Sequence, residues 1–266
     1  KNTLASRALG MEYIDLESLR KNKAELHRQW NSKKPFRYLV YDNFFYPDKA
    51  ELILQQYPDV TKGSWDGTTY IHQKNKYQLK QFDNGSMLHD VFAELNSKPF
   101  IDFLGSLTGI DTLEGDARLF GGGLHQSLKG AFLDVHVDFN YHPQTKHHRR
   151  LNVLVYMNKG WKDEYEGHLQ LWDMEKKVMM DSVAPLFNRM VMFETSEVSF
   201  HGHPVPLNTP NDVSRKSLAV YYYTPTRPEK EVAKDHNTVF VNTSGAEGRW
   251  KTFLSGLKAL KERILK

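Results

Sequence analysis

From Ala117 to Thr224 the chain is cut into short β-rich runs, ARLF, AFLDVHVDF, LNVLVYMN, HLQLWD, MVMFET and KSLAVYYYT, with turns and no helical period between them. Runs of this length and spacing predict an antiparallel sandwich or barrel. Upstream the period changes. Tyr13, Ile14, Leu16, Leu19, Leu26 and Trp30 fall roughly at helical spacing, and KPFRYLVYDNFF reads as a β-rich run. A short helix fits Asp48 to Gln56, ended before Pro58, and MLHDVFAELNSKPFIDFLGSLTGI is helical with a break near Pro99. The polar stretch from Gly63 to Gly85 reads as loop or edge strands. Past Pro228 one strand is expected in TVFVN. The chain then closes on an amphipathic helix with Trp250, Phe253, Leu254, Leu257, Leu260 and Ile264 on one face. The expectation is an α+β fold with a mainly β core, as one domain over 1–266: helical and strand support in 1–116, the β core in 117–225 and an extension in 226–266.

Composition narrows the chemistry. A chain of 266 residues with 39% hydrophobic and 12% aromatic content can build one sizeable core, which excludes disorder of the whole. Its 36 basic and 32 acidic residues are mixed along the sequence, so the net charge of +4 is only a mild bias toward anions. Cysteine is absent, which excludes disulfides, thiolate catalysis and cysteine zinc sites. Any metal must be held by His, Asp and Glu. No apolar run approaches the roughly 18 residues of a membrane helix, and KNTLASRALGMEY has no apolar signal-peptide core. A cytoplasmic protein is expected, with room for a removed leader because the chain begins without Met.

The histidine-rich stretch HVDFNYHPQTKHHRR, His136 to Arg150, poses the functional question. Side chains alternate along a strand, so His136 and Asp138 point the same way, close enough to bind one ion. Asp134 shares that face further along. Alone, His-x-Asp is a weak signal. A third ligand from a strand distant in sequence would complete a facial triad of two imidazoles and one carboxylate, and SFHGHP offers His201 or His203. In SRKSLAVYYYT, Arg215 and Ser217 alternate onto one face, where a guanidinium fork and a hydroxyl suit a carboxylate. By itself Arg215 reads as an ordinary salt bridge on a strand edge.

Taken together, HVD, RRLNVLVYMN, EGHLQLWD, FNRMVMFET, SFHGHP and RKSLAVYYY, between about Gly121 and Thr224, resemble the core of the 2-oxoglutarate and Fe(II)-dependent dioxygenases of the prolyl 4-hydroxylase-like superfamily. The resemblance implies a double-stranded β-helix, a jelly-roll or cupin-like barrel with helices packed outside. It implies Fe(II), 2-oxoglutarate as cosubstrate and dioxygen, with hydroxylation of a C–H bond and release of succinate and carbon dioxide. Carried over to this chain, it makes His136, Asp138 and His201 the iron ligands. Arg215 becomes the partner of the distal carboxylate of 2-oxoglutarate, with Ser217 assisting. Asn152 stands where relatives often have Thr facing the cosubstrate, and Tyr156 shares its face but reads as core. His203 reads either as a neighbour of the metal or as a solvated turn residue. The chain departs from the family in having Glu166-Gly167 where Gly-Gly is frequent, and in a longer loop before Arg215. Asp138 itself favours hydroxylation, since halogenating relatives replace that carboxylate.

The substrate implied is a peptide or protein side chain or a small metabolite. His125 and Gln126 in LFGGGLHQSLKG are candidates to line the pocket, against a reading of the glycines as a bulged edge strand. GSWDGTTYIHQKNKY could form a lid bearing Trp65, Tyr70 and His72, or a solvated loop. Two other classes compete: a non-catalytic β-barrel binding module, and a polyanion-binding protein using KHHRR and the terminal basic helix. Nucleic acid and membrane are not expected partners, and the sequence does not specify an oligomeric state.

Overall fold

The computed structural model describes residues 12–62, 64–241 and 243. Helices α1 (Leu16–Lys21) and α2 (Lys23–Ser32) come first, with Asp15 capping α1 by accepting the Ser18 N–H. Strand β1 (Tyr38–Asp42) and helix α3 (Pro47–Gln55) follow. The polar stretch expected to be loop or edge strands folds into a hairpin, β2 (Asp66–Tyr70) and β3 (Gln73–Leu79). The helical stretch divides at Pro99 as expected. Helix α4 (Met87–Leu95) ends at Asn96, and α5 (Lys98–Thr108) carries the proline in its first turn, where a missing N–H costs nothing, and stops at left-handed Gly109.

Eight strands form the rest of the sheet: β4 (Gly123–Val137), β5 (His148–Tyr156), β6 (Leu169–Asp173), β7 (Val178–Val183), β8 (Arg189–Glu194), β9 (Phe200–His203), β10 (Arg215–Thr224) and β11 (Val239–Phe240). The order is β1-β8-β5-β10-β4-β9-β6-β7, with β3 and β11 also on β4, and every pairing is antiparallel. β4 spans 15 residues and serves two layers. Its first part, Gly123 to Ser127, pairs with β10, while its last part, Leu133 to His136, pairs with β9. The sheet therefore curls so that β1, β8, β5 and β10 face β9, β6 and β7, the double-stranded β-helix expected from the sequence.

Alternation along β5 separates two cores. Leu151, Val153 and Val155 turn outward and pack with Met190, Met192, Leu218, Val220 and Tyr222 against the helices, through Trp30, Ile53, Val91, Phe92 and Phe100. Tyr222 donates its hydroxyl to the Leu95 carbonyl at 2.6 Å, tying β10 to the end of α4. On the inward face Tyr156 joins Leu169, Leu171, Val183, Val191 and Phe193 between the layers. A sheet buried on both faces explains why β5 reads as nearly continuous apolar sequence.

Three expectations change. ARLF is a turn rather than a strand: the Asp116 carboxylate accepts the N–H groups of Arg118 and Phe120, and Leu119 takes a φ of +51°. TVFVN contributes only Val239–Phe240, paired with Val137 and His136. β7, which the sequence did not announce, is an edge strand with Val178 and Met179 exposed. The C-terminal amphipathic helix lies outside the described residues. Among those described, no helix is long and apolar enough to cross a membrane.

Gly122 and Gly123, where β4 begins, serve close backbone approach. At Gly123, with φ +102°, a Cβ would overlap the Leu79 carbonyl oxygen where β3 leaves the sheet. At Gly130, with φ +73°, a Cβ would meet nothing within 4 Å. Gly130→Ala should therefore cost only the left-handed conformation, about 1–2 kcal/mol. Gly123→Ala adds overpacking and should cost about 3 kcal/mol or more. Chemical denaturation of the two variants checks the order.

Candidate metal centre and its two chambers

His136 lies near the end of β4 and Asp138 just past it, while His201 sits on β9 directly across from His136. The curl of β4 is what brings residues so distant in sequence into one register. The imidazole centroids are 4.5 Å apart. His136 Nε2 is 3.6 Å from Asp138 Oδ1, and His201 Nε2 is 3.5 Å from Asp138 Oδ2. The ligating atoms of the three residues all lie within 4.8 Å of one another, a spacing that can hold one metal ion.

The other ring nitrogens fix the tautomers. His136 Nδ1 lies 2.8 Å from the Asp134 carbonyl oxygen, and His201 Nδ1 lies 2.9 Å from that of Ser199. A carbonyl only accepts, so each Nδ1 carries a hydrogen and each Nε2 is the nitrogen turned toward the cluster. Burial pushes His201 down to about 4 despite the opposing pull of Asp138, which keeps the ring neutral as a ligand must be. For Asp138 burial alone would raise the carboxyl, but Arg149 and then the two imidazoles outweigh it and hold it well below the usual carboxylate range.

Asp138 is gripped from β5. Asn152 Nδ2 donates to Asp138 Oδ2 at 2.6 Å, Arg149 Nη2 lies 3.2 Å from the same oxygen, and Arg149 Nε donates to Asn152 Oδ1 at 2.9 Å. The Arg149 guanidinium is packed between the rings of Tyr221, at 3.6 Å, and Phe139, at 4.3 Å. This corrects the reading of KHHRR as a basic patch or solvated loop. His148, Arg149 and Arg150 belong to β5, and both arginines are buried, Arg150 beside Glu231. The signal was masked by a β-bulge: Tyr222 pairs with Leu151 and Tyr223 with Arg149, which leaves Arg150 as the extra residue. The bulge shifts the alternation by one and turns Arg149 to the inward face with Asn152.

An inner chamber of about 80 Å³ adjoins the cluster, with Asn152, Tyr156, His203, Arg215 and Ser217 in its wall. Arg215 Nε donates to the Gly167 carbonyl at 2.7 Å and Nη2 to the Tyr156 hydroxyl at 3.1 Å, with the guanidinium 4.8 Å from the Tyr156 ring centre. Tyr156, expected to be plain core, is thus part of the arginine's setting. A Cβ at Gly167 would overlap Leu207 and press on the Arg215 stem. Its neighbour Glu166 takes φ +60° and ψ −151°, a conformation glycine adopts freely, which gives the Glu-for-Gly departure a physical cost confined to the turn. His203 is a buried strand residue, not a solvated turn, and burial followed by the nearby Arg215 pushes its pKa well down. Ser217 and Asn152 both line the chamber, although the Asn152 side chain is committed to Asp138 and Arg149.

A second, outer chamber of about 190 Å³ reaches the same cluster from the other side. Its wall includes Gln73, Lys76 and Gln78 of β3, with Thr238 and Phe240 from the C-terminal segment. The two chambers share Lys76, Leu133, His136, Asp138 and Tyr221. His125 lines the inner chamber, as expected of a pocket residue, whereas Gln126 turns away and donates to Ser214 Oγ at 2.6 Å. Of the residues read as a lid, Trp65 stacks on Tyr57, and His72 pairs with Asp134 at 2.9 Å and stacks on Phe240 at 4.6 Å.

Comparison with known proteins agrees with this geometry. Residues 122–223 match the family model of the 2OG-Fe(II) oxygenase superfamily. The mouse prolyl 3-hydroxylase OGFOD1 is 34% identical over 86 residues, 30% of this chain and 15% of that protein, so the chain spans only a small part of this relative. Among solved structures, a prolyl hydroxylase from Trichoplax adhaerens in complex with a hypoxia inducible factor oxygen degradation domain peptide fragment aligns with TM-score 0.55 at 17% identity, covering 77% of this chain and 92% of that one. A Pseudomonas putida prolyl-4-hydroxylase aligns with TM-score 0.55 at 15% identity, over 75% and 98%. HygX from Streptomyces hygroscopicus, with nickel, 2-oxoglutarate and hygromycin B bound, aligns with TM-score 0.50 at 13% identity, over 79% and 97%. At such identities the structural likeness is one of fold. Over the strands that carry the triad, residues 122–223 thus resemble the 2OG-Fe(II) oxygenase superfamily in sequence, and the fold is the one seen in the prolyl hydroxylase structures.

Proposed function

We propose that the chain is an Fe(II)- and 2-oxoglutarate-dependent dioxygenase that hydroxylates a C–H bond of a peptide or protein side chain or of a small metabolite. The observation that carries this reading is the convergence of His136 Nε2, His201 Nε2 and the Asp138 carboxylate within 4.8 Å. Two imidazoles with their Nε2 atoms directed inward and one ionised carboxylate are the donor set that suits Fe(II) with open positions. Iron bound there, with 2-oxoglutarate and dioxygen, would supply the oxidation that puts one oxygen atom into the substrate and the other into succinate, with loss of carbon dioxide.

The chain's own groups have separable tasks. Asn152 and Arg149 occupy Asp138 Oδ2 and so orient the carboxylate as a ligand through its other oxygen. The Arg215 fork receives the distal carboxylate of 2-oxoglutarate, assisted by Ser217. Tyr156 already accepts a hydrogen bond from Arg215 Nη2, which leaves its own O–H to donate to that carboxylate. Burial raises the Tyr156 pKa, so the phenol keeps its proton, although Arg215 works against this. Leu154, Leu169 and Phe193 line the same chamber and keep water from the cosubstrate. The retained Asp138 favours hydroxylation as the outcome. The cysteine-free composition suits a reducing compartment, and the cytoplasm is the setting we propose.

Anaerobically prepared, iron-loaded protein should release succinate from 2-oxoglutarate when oxygen is admitted. His136→Ala and Asp138→Ala should reduce that release at least about 100-fold. A wild type that neither binds 2-oxoglutarate by calorimetry nor turns it over refutes the proposal. Arg215→Ala should raise the KM for 2-oxoglutarate by about 10–100-fold, and Asn152→Ala should weaken Fe(II) binding in a direct titration by about 10-fold or more.

A further inference from the structure

One cation of the site has no task in the reading above. Lys76 stands on β3 opposite Ser127 of β4, and its side chain walls both chambers beside His136 and Asp138. Arg149 is matched by Asp138, and Arg215 by Gly167 and Tyr156. The Lys76 side chain makes no ion pair or hydrogen bond among the described residues. With iron, 2-oxoglutarate, Asp138 and the two arginines in place, the site is already net positive before Lys76 is counted. A further ammonium half-buried there is unfavourable unless a ligand brings a negative charge to it. Burial, the largest influence, together with Arg215 and Arg149, pushes Lys76 down to about 8 while Asp138 holds it up, so at neutral pH it remains mostly a cation.

The outer chamber suits such a ligand. Its volume of about 190 Å³ is below the ~300–1,000 Å³ of sites for drug-sized molecules. Gln73, Gln78 and Thr238 give it polar neutral groups around the Lys76 ammonium, while the Arg149 guanidinium in the same wall is already paired with Asp138. A carboxylate fits one ammonium among amides, whereas a phosphate is commonly met by several cations or by a helix N-terminus.

We propose that the outer chamber takes a small polar substrate bearing one carboxylate, which Lys76 holds so that a C–H bond a few atoms away faces His136 and Asp138. The proposal rests on the dioxygenase reading and narrows its substrate class. Lys76 is then a specificity-determining residue for the primary substrate, distinct from Arg215, which serves the cosubstrate.

Calorimetry on the whole chain loaded with Mn(II) and 2-oxoglutarate tests it, with free amino acids and 2-hydroxy acids as probes, each beside its primary amide. At least one acid should bind at least tenfold more tightly than its amide. Lys76→Gln should erase that preference while 2-oxoglutarate affinity stays within twofold, and Lys76→Arg should restore part of it. The proposal is overturned if no acid is preferred over its amide, if the preference survives Lys76→Gln, or if phosphomonoesters bind better than every acid. A weakened 2-oxoglutarate affinity in Lys76→Gln overturns it too, by assigning the lysine to the cosubstrate. If the wild type fails to bind 2-oxoglutarate in the first titration, it is the dioxygenase reading itself that falls.

Discussion

A single long strand shared between two layers governs this molecule. β4 pairs with β10 along its first part and with β9 along its last. Near the middle, left-handed Gly130 donates its N–H to the Leu207 carbonyl, so the change of direction leaves no unpaired donor there. Because the strand belongs to both layers, its residues enter two different registers. Ser127 stands beside Arg215, and His136 stands across from His201. The arginine chamber and the candidate metal centre are therefore set on one continuous backbone, and their separation is held by strand geometry rather than by a loop.

Charge is the second constraint. Asp138 is a carboxylate with only 12% of its side chain exposed, and such a group persists as an anion only where the protein compensates it. Arg149 and Asn152 do so from β5, and the two imidazoles reinforce them. The same arrangement leaves the pocket rich in positive charge. Arg149 in turn relies on the faces of Phe139 and Tyr221 in place of water. Candidate ligand carboxylate, its support and the aromatic wall form one interlocked unit, and the outer chamber shares Asp138, Arg149 and Tyr221 with it.

Much of the site was legible from period two. His136 and Asp138 fall on one face of DVHVDF, Arg215 and Ser217 on one face of RKSLAVYYYT, and the structure places all four around the same chamber. Period two failed at Arg149 because the bulge at Arg150 reverses the alternation, and nothing in HHRRLN announces a bulge. It failed differently at Tyr156, whose face was read correctly but whose hydroxyl could not be given a partner before Arg215 was known to lie 3.1 Å away. Lys76 was hidden in a stretch whose polar composition reads as loop or edge strands, and only the pairing of β3 with β4 turns it inward.

The sequence by itself determined the β-rich texture of the core, the division of the N-terminal helices at Pro99, the absence of any cysteine ligand and the identity of the residues able to hold a metal. Those properties are local: they depend on alternation, caps, backbone restrictions and side-chain chemistry within a few residues. Tertiary structure alone decided which of these residues meet. The pairing of β4 with β9 and β10, the bulge opposite Tyr222 and Tyr223, and the placement of Lys76 over the cluster arise from strand register. Register is set by packing both faces of the sheet at once, a condition satisfied by the whole fold and by no segment of it.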